Sequence, residues 1–259
     1  MSNELAKQEN TQIQESPKTF SDYLMERLTS VEEALPSGFN KVRFVQNSIA
    51  LLNDNPAIAK YSKTQIVAGL LKASYLGLDV LSKECYLVPY GAQLNFQIDY
   101  RGAKKLAKKY SIRPIKDIYA EIVREGDEFE KIVDGNNTIV KFKPKPFSDA
   151  KVIGAFAVVE YADGGIHCDM MTLKELETTR SKSKASNSMA WKDFTNEMYR
   201  KTVLHRLCKH IEIDFENMTQ LDLWNDSNAM DKNAGTEEIH DPFAESEVVV
   251  DGEATEING

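Results

Sequence analysis

Residues 100–116 carry Arg101, Lys104, Lys105, Lys108, Lys109, Arg113 and Lys116 with no acid among them. Ammonium and guanidinium groups at this density suit a polyanion, because they neutralise phosphate without reading the bases attached to it. Residues 180–210 repeat the chemistry with eight basic residues, among them Lys182, Lys184, Arg200, Lys201, Arg206 and Lys209, against Asp193 and Glu197. Just before the first cluster, Gln93, Asn95 and Gln97 alternate with Leu94, Phe96 and Ile98. That is the period of a strand with one apolar face and one amide face. Tyr86, Tyr90, Tyr100, Trp191 and Tyr199 lie near these cations and can stack on bases, although core packing is the commoner use of a regularly spaced aromatic. Trp191 and Phe194 read as packing residues.

Other chemistries find less support. The chain has no Gly-rich loop ending in Gly-Lys-Ser/Thr, no GxGxxG, no HExxH and no GxSxG. Nucleotide hydrolysis, dinucleotide binding and the common hydrolases therefore lack their motifs, and the expectation is a protein without cofactor or catalytic residues. Cys85, Cys168 and Cys208 are odd in number and never in a CxxC pair, which argues against disulfides or a zinc ribbon. Cys208 lies near His205 and His210, but in the apolar stripe of a helix, and the two histidines are five residues apart rather than four. The rival readings are a metal-dependent nuclease, built on Asp117 and Asp149-Ala-Lys151, and an adaptor that never touches DNA, which the basic arc disfavours.

A net charge of −8 taken as one sum opposes nucleic-acid binding, but it is partitioned along the chain. Residues 1–39 sum to −4, residues 40–213 to +8 and residues 214–259 to −12. The acidic, aromatic-poor end cannot bury enough apolar surface to offset its ordering entropy, so 225–259 reads as a disordered tail. Its short apolar clusters, Pro242-Phe243 and Val248-Val249-Val250, have the length of a docking peptide. The basic middle is the expected folded core. With no long apolar run and no signal-peptide pattern at Met1-Ser2-Asn3-Glu4, the expected setting is cytoplasmic, with no membrane contact.

The elements that position these residues follow from periodicity. After a polar, disordered stretch over 1–20, an amphipathic helix over 21–38 carries Tyr23, Leu24, Leu28 and Val31 until Pro36-Ser-Gly38, and is a candidate for subunit docking. The core over 39–224 opens with helices capped by Asn40 and by Ser62-Lys-Thr-Gln65. The period then changes to that of strands. A hairpin over Glu84–Asp99 turns at Gly91-Ala92, and further strands fit Ile115–Val123, Glu128–Val133, Thr138–Lys143, Val152–Tyr161 and Ile166–Met171. Between Tyr100 and Tyr110, Ala103, Leu106, Ala107 and Tyr110 form one helical stripe while Lys104, Lys105, Lys108 and Lys109 fan over the other side, with Arg101 and Gly102 at the helix start. A phosphate resting against that start, or a tight turn, would each call for Gly102. Thr172-Leu-Lys-Glu175 caps another helix. The last long helix, Ala190 to Ile211, has apolar sets on nearly opposite sides, so it must kink or change partners. The fold class is therefore α+β: a helical N-terminal lobe, antiparallel sheet with hairpins, and a long C-terminal helix.

Gly77-Leu78-Asp79, Glu84-Cys-Tyr-Leu-Val-Pro-Tyr-Gly91, Tyr100-Arg-Gly102, Glu197-Met-Tyr-Arg-Lys-Thr202 and Leu207-Cys-Lys209 occur in this order. The ordered set resembles the signature of the RecT family of phage and prophage single-strand annealing recombinases over about residues 40–213. Ser188-Met-Ala-Trp191 departs from the Pro-Trp often found there, and the tails carry no matching motif. The resemblance implies ATP-independent annealing of complementary single strands by a ring- or filament-forming homo-oligomer. It also implies single-stranded DNA and the annealed duplex as partners, with a partner exonuclease and a host single-strand-binding protein as further candidates.

Overall fold

The computed structural model describes residues 19–230 apart from Asn136, Lys184, Ala185 and Ser188. The expectations for residues 1–18 and 231–259, and for Lys184, lie outside the described residues. Helix α1, Phe20–Ser30, starts from a capping box in which Thr19 and Asp22 satisfy each other's backbone N–H. Asn40 caps α2, Lys41–Asp54, and Ser62 caps α4, Lys63–Tyr75, with the short α3, Pro56–Ala59, between them. The apolar stripe of α1 faces α2 and α4 of its own chain, where Leu24, Leu28 and Leu70 are fully buried. Each such burial stabilises the lobe by roughly 1.5–3 kcal/mol.

Strands β1, Cys85–Tyr90, and β2, Gln93–Ile98, form an antiparallel hairpin turned at Gly91, whose φ of +60° needs no Cβ. Helix α5, Tyr100–Tyr110, follows at once. Next come β3, Ile115–Arg124, β4, Glu128–Asp134, β5, Asn137–Lys143, β6, Val152–Tyr161, and β7, Ile166–Thr172. They build a sheet of order β3-β6-β7 and a separate β4–β5 hairpin, all antiparallel. Side chains alternate across this sheet. Ala155, Ala157 and Val159 of β6 join the main core, whereas Phe156 and Val158 meet Phe129, Val140 and Phe142 of the hairpin.

Helix α6, Leu173–Lys182, starts from the Thr172/Glu175 capping box expected of it. The predicted long helix is broken at Phe194 into α7, Met189–Asp193, and α8, Thr195–Cys208, which resolves the two opposed apolar sets. Trp191 and Tyr199 are buried and their rings meet edge to face, 6.1 Å apart. Phe194 corrects the expectation that it packs: at the break its ring turns out to solvent and is 64% exposed. Tyr199 donates a very short hydrogen bond to Glu177, and burial together with that carboxylate pushes its phenol up to about 12.

A helix not read from the sequence, α9, Met218–Met230, crosses the boundary expected at residue 225. The chain before it returns to α5: Ile112 N–H donates to Glu212 and Asp214 N–H to Tyr110. Gln220 is fully buried, donating to the Tyr75 carbonyl at 2.9 Å and accepting from Glu216 N–H. Trp224, buried, reaches Phe215, which in turn meets Tyr110. All three cysteines are buried free thiols, and burial pushes Cys208 up to about 12. No described helix is long and apolar enough to cross a membrane.

Candidate nucleic-acid interface

The β1–β2 hairpin has one face for the core and one for solvent. Cys85, Leu87, Leu94, Phe96 and Ile98 are buried, while the register sets Tyr86 opposite Gln97, Val88 opposite Asn95 and Tyr90 opposite Gln93 on the outer face. The turn is pinned to the helices beneath, because Tyr61 donates to the Gly91 carbonyl at 2.8 Å and Gln65 to the Ala92 carbonyl at 3.1 Å. Within the face Gln97 donates to the Tyr90 hydroxyl at 3.1 Å. The amides of β2 and the rings Tyr86 and Tyr90 of β1, both singled out from the sequence, are set on one face by the same two-residue alternation.

This face runs into the start of α5. Asp99, buried, accepts from Arg101 N–H and so caps the helix. Tyr100 is half-buried and Arg101 exposed, the guanidinium 5.4 Å from the Tyr100 ring centre. A hydrogen bond from Arg101 to Tyr100 holds the guanidinium above its ordinary value, so it is cationic at any working pH. Partial burial, then the Asp99 carboxylate, raises the Tyr86 phenol, and Arg101 opposes that rise. Tyr86, Tyr100 and Arg101 thus share one neighbourhood. Among the described residues, no ion pair includes Arg101.

The lysines of α5 differ from this. Lys104 and Lys108 share Asp117 at 3.5 and 3.1 Å, and Lys109 meets Glu216 at 3.8 Å. A backbone hydrogen bond from Ile118 and one from Lys108 hold Asp117 below the usual carboxylate range. Exposed pairs of this kind contribute about 0–1 kcal/mol, so a phosphate can replace the carboxylate at little cost. Lys105 is otherwise engaged. It donates to Glu84 at 2.6 Å and to the Gly77 carbonyl at 2.9 Å, tying α5 to the loop before β1.

The second basic region divides in two. Lys201 of α8 meets the buried Asp99 at 2.8 Å and lies 5.9 Å from the Tyr100 ring centre, so it belongs with the first region. Arg200 reaches Glu121 and Glu197 nearby. Arg206 instead clamps Asp169 of β7 at 2.6 Å through two nitrogens, with Glu175 at 3.6 Å. Removing Lys201 would leave the buried Asp99 carboxylate without its cation, at a cost of up to about 3–5 kcal/mol. The geometry therefore makes Lys201 and Arg206 anchors of α8. Lys182, at the end of α6, is exposed, and Lys209 follows α8 as its cap.

Gly102 lies on the inner side of α5, buried. A Cβ there would sit 2.2 Å from the Glu84 carbonyl oxygen and 3.1 Å from Ile98. The close approach that Gly102 permits is thus to the backbone of Glu84, just before β1, and the Asp99 carboxylate already occupies the helix start. Gly102→Ala is expected to destabilise the fold by about 1–3 kcal/mol or more through overpacking. Thermal unfolding should show the loss while the folded fraction binds DNA normally; full stability with lost binding would return Gly102 to the phosphate.

Among the described residues, no group of His, Cys, Asp and Glu gathers to hold a metal ion. Asp117, one half of the nuclease pattern, is committed to Lys104 and Lys108.

Rings and amides on the outer face of the pinned hairpin, an exposed guanidinium at the start of α5 and half-exposed lysine pairs beside it form one cationic, aromatic surface on an α+β core, the candidate nucleic-acid interface. The RecT family model matches residues 42–234, and the chain belongs to the RecT family, of phage-type recombination and strand-annealing proteins that act on DNA. It is similar to Protein RecT of Escherichia coli strain K12, 32% identical over 193 residues, 71% of either chain. It is also similar to the uncharacterized protein YqaK of Bacillus subtilis strain 168, 28% identical over 202 residues, 76% of this chain and 69% of that one.

Proposed function

We propose that the chain binds single-stranded DNA along the outer face of the β1–β2 hairpin and the start of α5, and anneals complementary strands as a homo-oligomer without nucleotide or metal. The observation that carries this is the single surface shared by Tyr86, Tyr100, Arg101 and the amides Gln93, Asn95 and Gln97. Annealing requires strands held by their backbones while the bases stay free to pair. A cation beside rings, with pairs that yield to phosphate, meets that requirement, since stacking on an aromatic tolerates any base. The family supports the same reading. The acidic end beyond Met230 is suited to a partner exonuclease or a single-strand-binding protein, or to competing with DNA for the cations at low salt.

Annealing of two complementary labelled strands, followed by quenching in excess chelator without ATP, should proceed undiminished. A strict requirement for ATP or a divalent ion would overturn the proposal.

A further inference from the structure

Phe147 stands apart from every element described so far. The residue is fully exposed, and its backbone adopts φ +55°, a conformation rarely taken by a bulky residue. The loop around it is not loose. Asp127 accepts from Lys145 N–H at 2.9 Å and from Arg124 N–H at 2.8 Å, the Arg124 guanidinium donates to the Ala150 carbonyl at 2.6 Å, and Ser148 accepts from Ala150 N–H at 3.2 Å. Those two backbone donors hold the Asp127 carboxyl below its usual range. Both flanks of the tip are therefore tied to the β3–β4 turn, and the ring is held out into water between them.

The charge beside the ring selects an occupant. Lys143, Lys145 and Lys151 are exposed within four residues of Phe147 along the chain, the Lys145 ammonium lying over Gly126 of the β3–β4 turn, and Asp149 is the one acid of the stretch 143–151. Among the described residues Lys143 pairs with Glu128 at 3.4 Å, both side chains being three-quarters exposed, so a phosphate can displace that carboxylate. A strained, unpacked ring contributes nothing to the core, and such outliers persist where a ligand uses them. An apolar pocket of another protein would be served by the ring alone. Exposed lysines before and after it in the chain add the recognition of an anion near a flat group, which is the chemistry of a nucleotide.

We propose that Phe147 is a second DNA-contact point, stacking on a base of a single strand whose phosphates meet Lys143, Lys145 and Lys151. This rests on the DNA-binding reading above and extends it to a loop distant in sequence from the β1–β2 hairpin.

The test compares the full-length protein with Phe147→Ala, Phe147→Gly and Phe147→Trp on a thymidine homopolymer and on an abasic oligomer of equal length. Both small variants should melt no lower than the parent, since the ring packs on nothing and glycine accepts the φ freely. Phe147→Ala should weaken thymidine binding roughly five-fold or more, the size of one lost stacking contact. The abasic oligomer should bind parent and variant equally, and Phe147→Trp should retain affinity and show fluorescence quenched by bases. Equal thymidine affinity of Phe147→Ala and the parent, with binding still lost on changing Tyr100 and Arg101, overturns this inference and leaves the hairpin site standing. A change in oligomer size with DNA affinity intact overturns it in favour of a contact between copies. If the parent binds neither oligomer, the DNA-binding reading itself fails.

Discussion

Changing Tyr100→Leu together with Arg101→Ala is expected to lower affinity for single-stranded DNA about a hundred-fold while the melting temperature stays close to that of the parent. A stacked base contributes roughly 1–3 kcal/mol and a charged hydrogen bond to phosphate about 1.5–3 kcal/mol, and their sum of about 2.5–6 kcal/mol reaches the ~2.7 kcal/mol that a hundred-fold represents. Stability is spared for specific reasons. Leucine keeps the apolar body of the half-buried Tyr100, and Arg101 is exposed and outside the ion pairs that fasten α5. The loss should be similar for all sequences, and the salt dependence should flatten by about one unit for the lost guanidinium. Fluorescence anisotropy across a salt series measures both quantities. Unchanged affinity would show that this surface is not where DNA binds.

The second large effect is on folding. Trp224→Ala should destabilise the core by about 3–5 kcal/mol, the range for removing a buried aromatic, as read from denaturant unfolding. Trp224 is 6% exposed and ends a row of rings through Phe215 to Tyr110. A chain ending at Asn217 should fare worse, since it also loses the buried Gln220 and leaves the Tyr75 carbonyl without its amide donor. One ending at Met230 should fold and anneal like the full chain. If the chain ending at Asn217 unfolds at the same denaturant concentration as the parent, α9 is an appendage and not part of the core.

The parts of this molecule that were legible from its sequence are those with local causes. Capping residues marked Thr172, Asn40 and Ser62 as helix starts, and two-residue alternation marked β2 and the face its amides present. The break at Phe194 followed from apolar sets on opposite sides of one helix. Helix α9 escaped because an acidic stretch shows no amphipathic period, and its one local signal, Asn217 capping the helix by accepting from Gln220 N–H, is not distinctive alone; the buried Gln220 owes its place to a partner more than a hundred residues away. The candidate site shows the same division. Arg101 and Tyr100 were legible as residues, but Lys105, Lys201 and Arg206 look identical to free cations in a sequence. Only the fold brings Glu84, Asp99 and Asp169 against them. Phe147 was passed over because a single aromatic in a Pro-Lys-Pro-Phe loop carries no period.

The hydrogen bond from Gln220 to the Tyr75 carbonyl spans 145 positions of chain. During synthesis, α4 and the hairpin emerge long before α9, and closing so wide a loop is among the slow steps of folding. Until the ribosome has released residue 224, Tyr110 lacks its ring neighbour Phe215 or the tryptophan behind it, and apolar surface of the N-terminal lobe stays wet. A newly made chain therefore completes the support beneath its β1–β2 hairpin only after α9 has emerged. Nascent fragments have little of the rigidity with which the finished protein presents Tyr100 and Arg101, and truncated products are the ones that chaperones and proteases should find first.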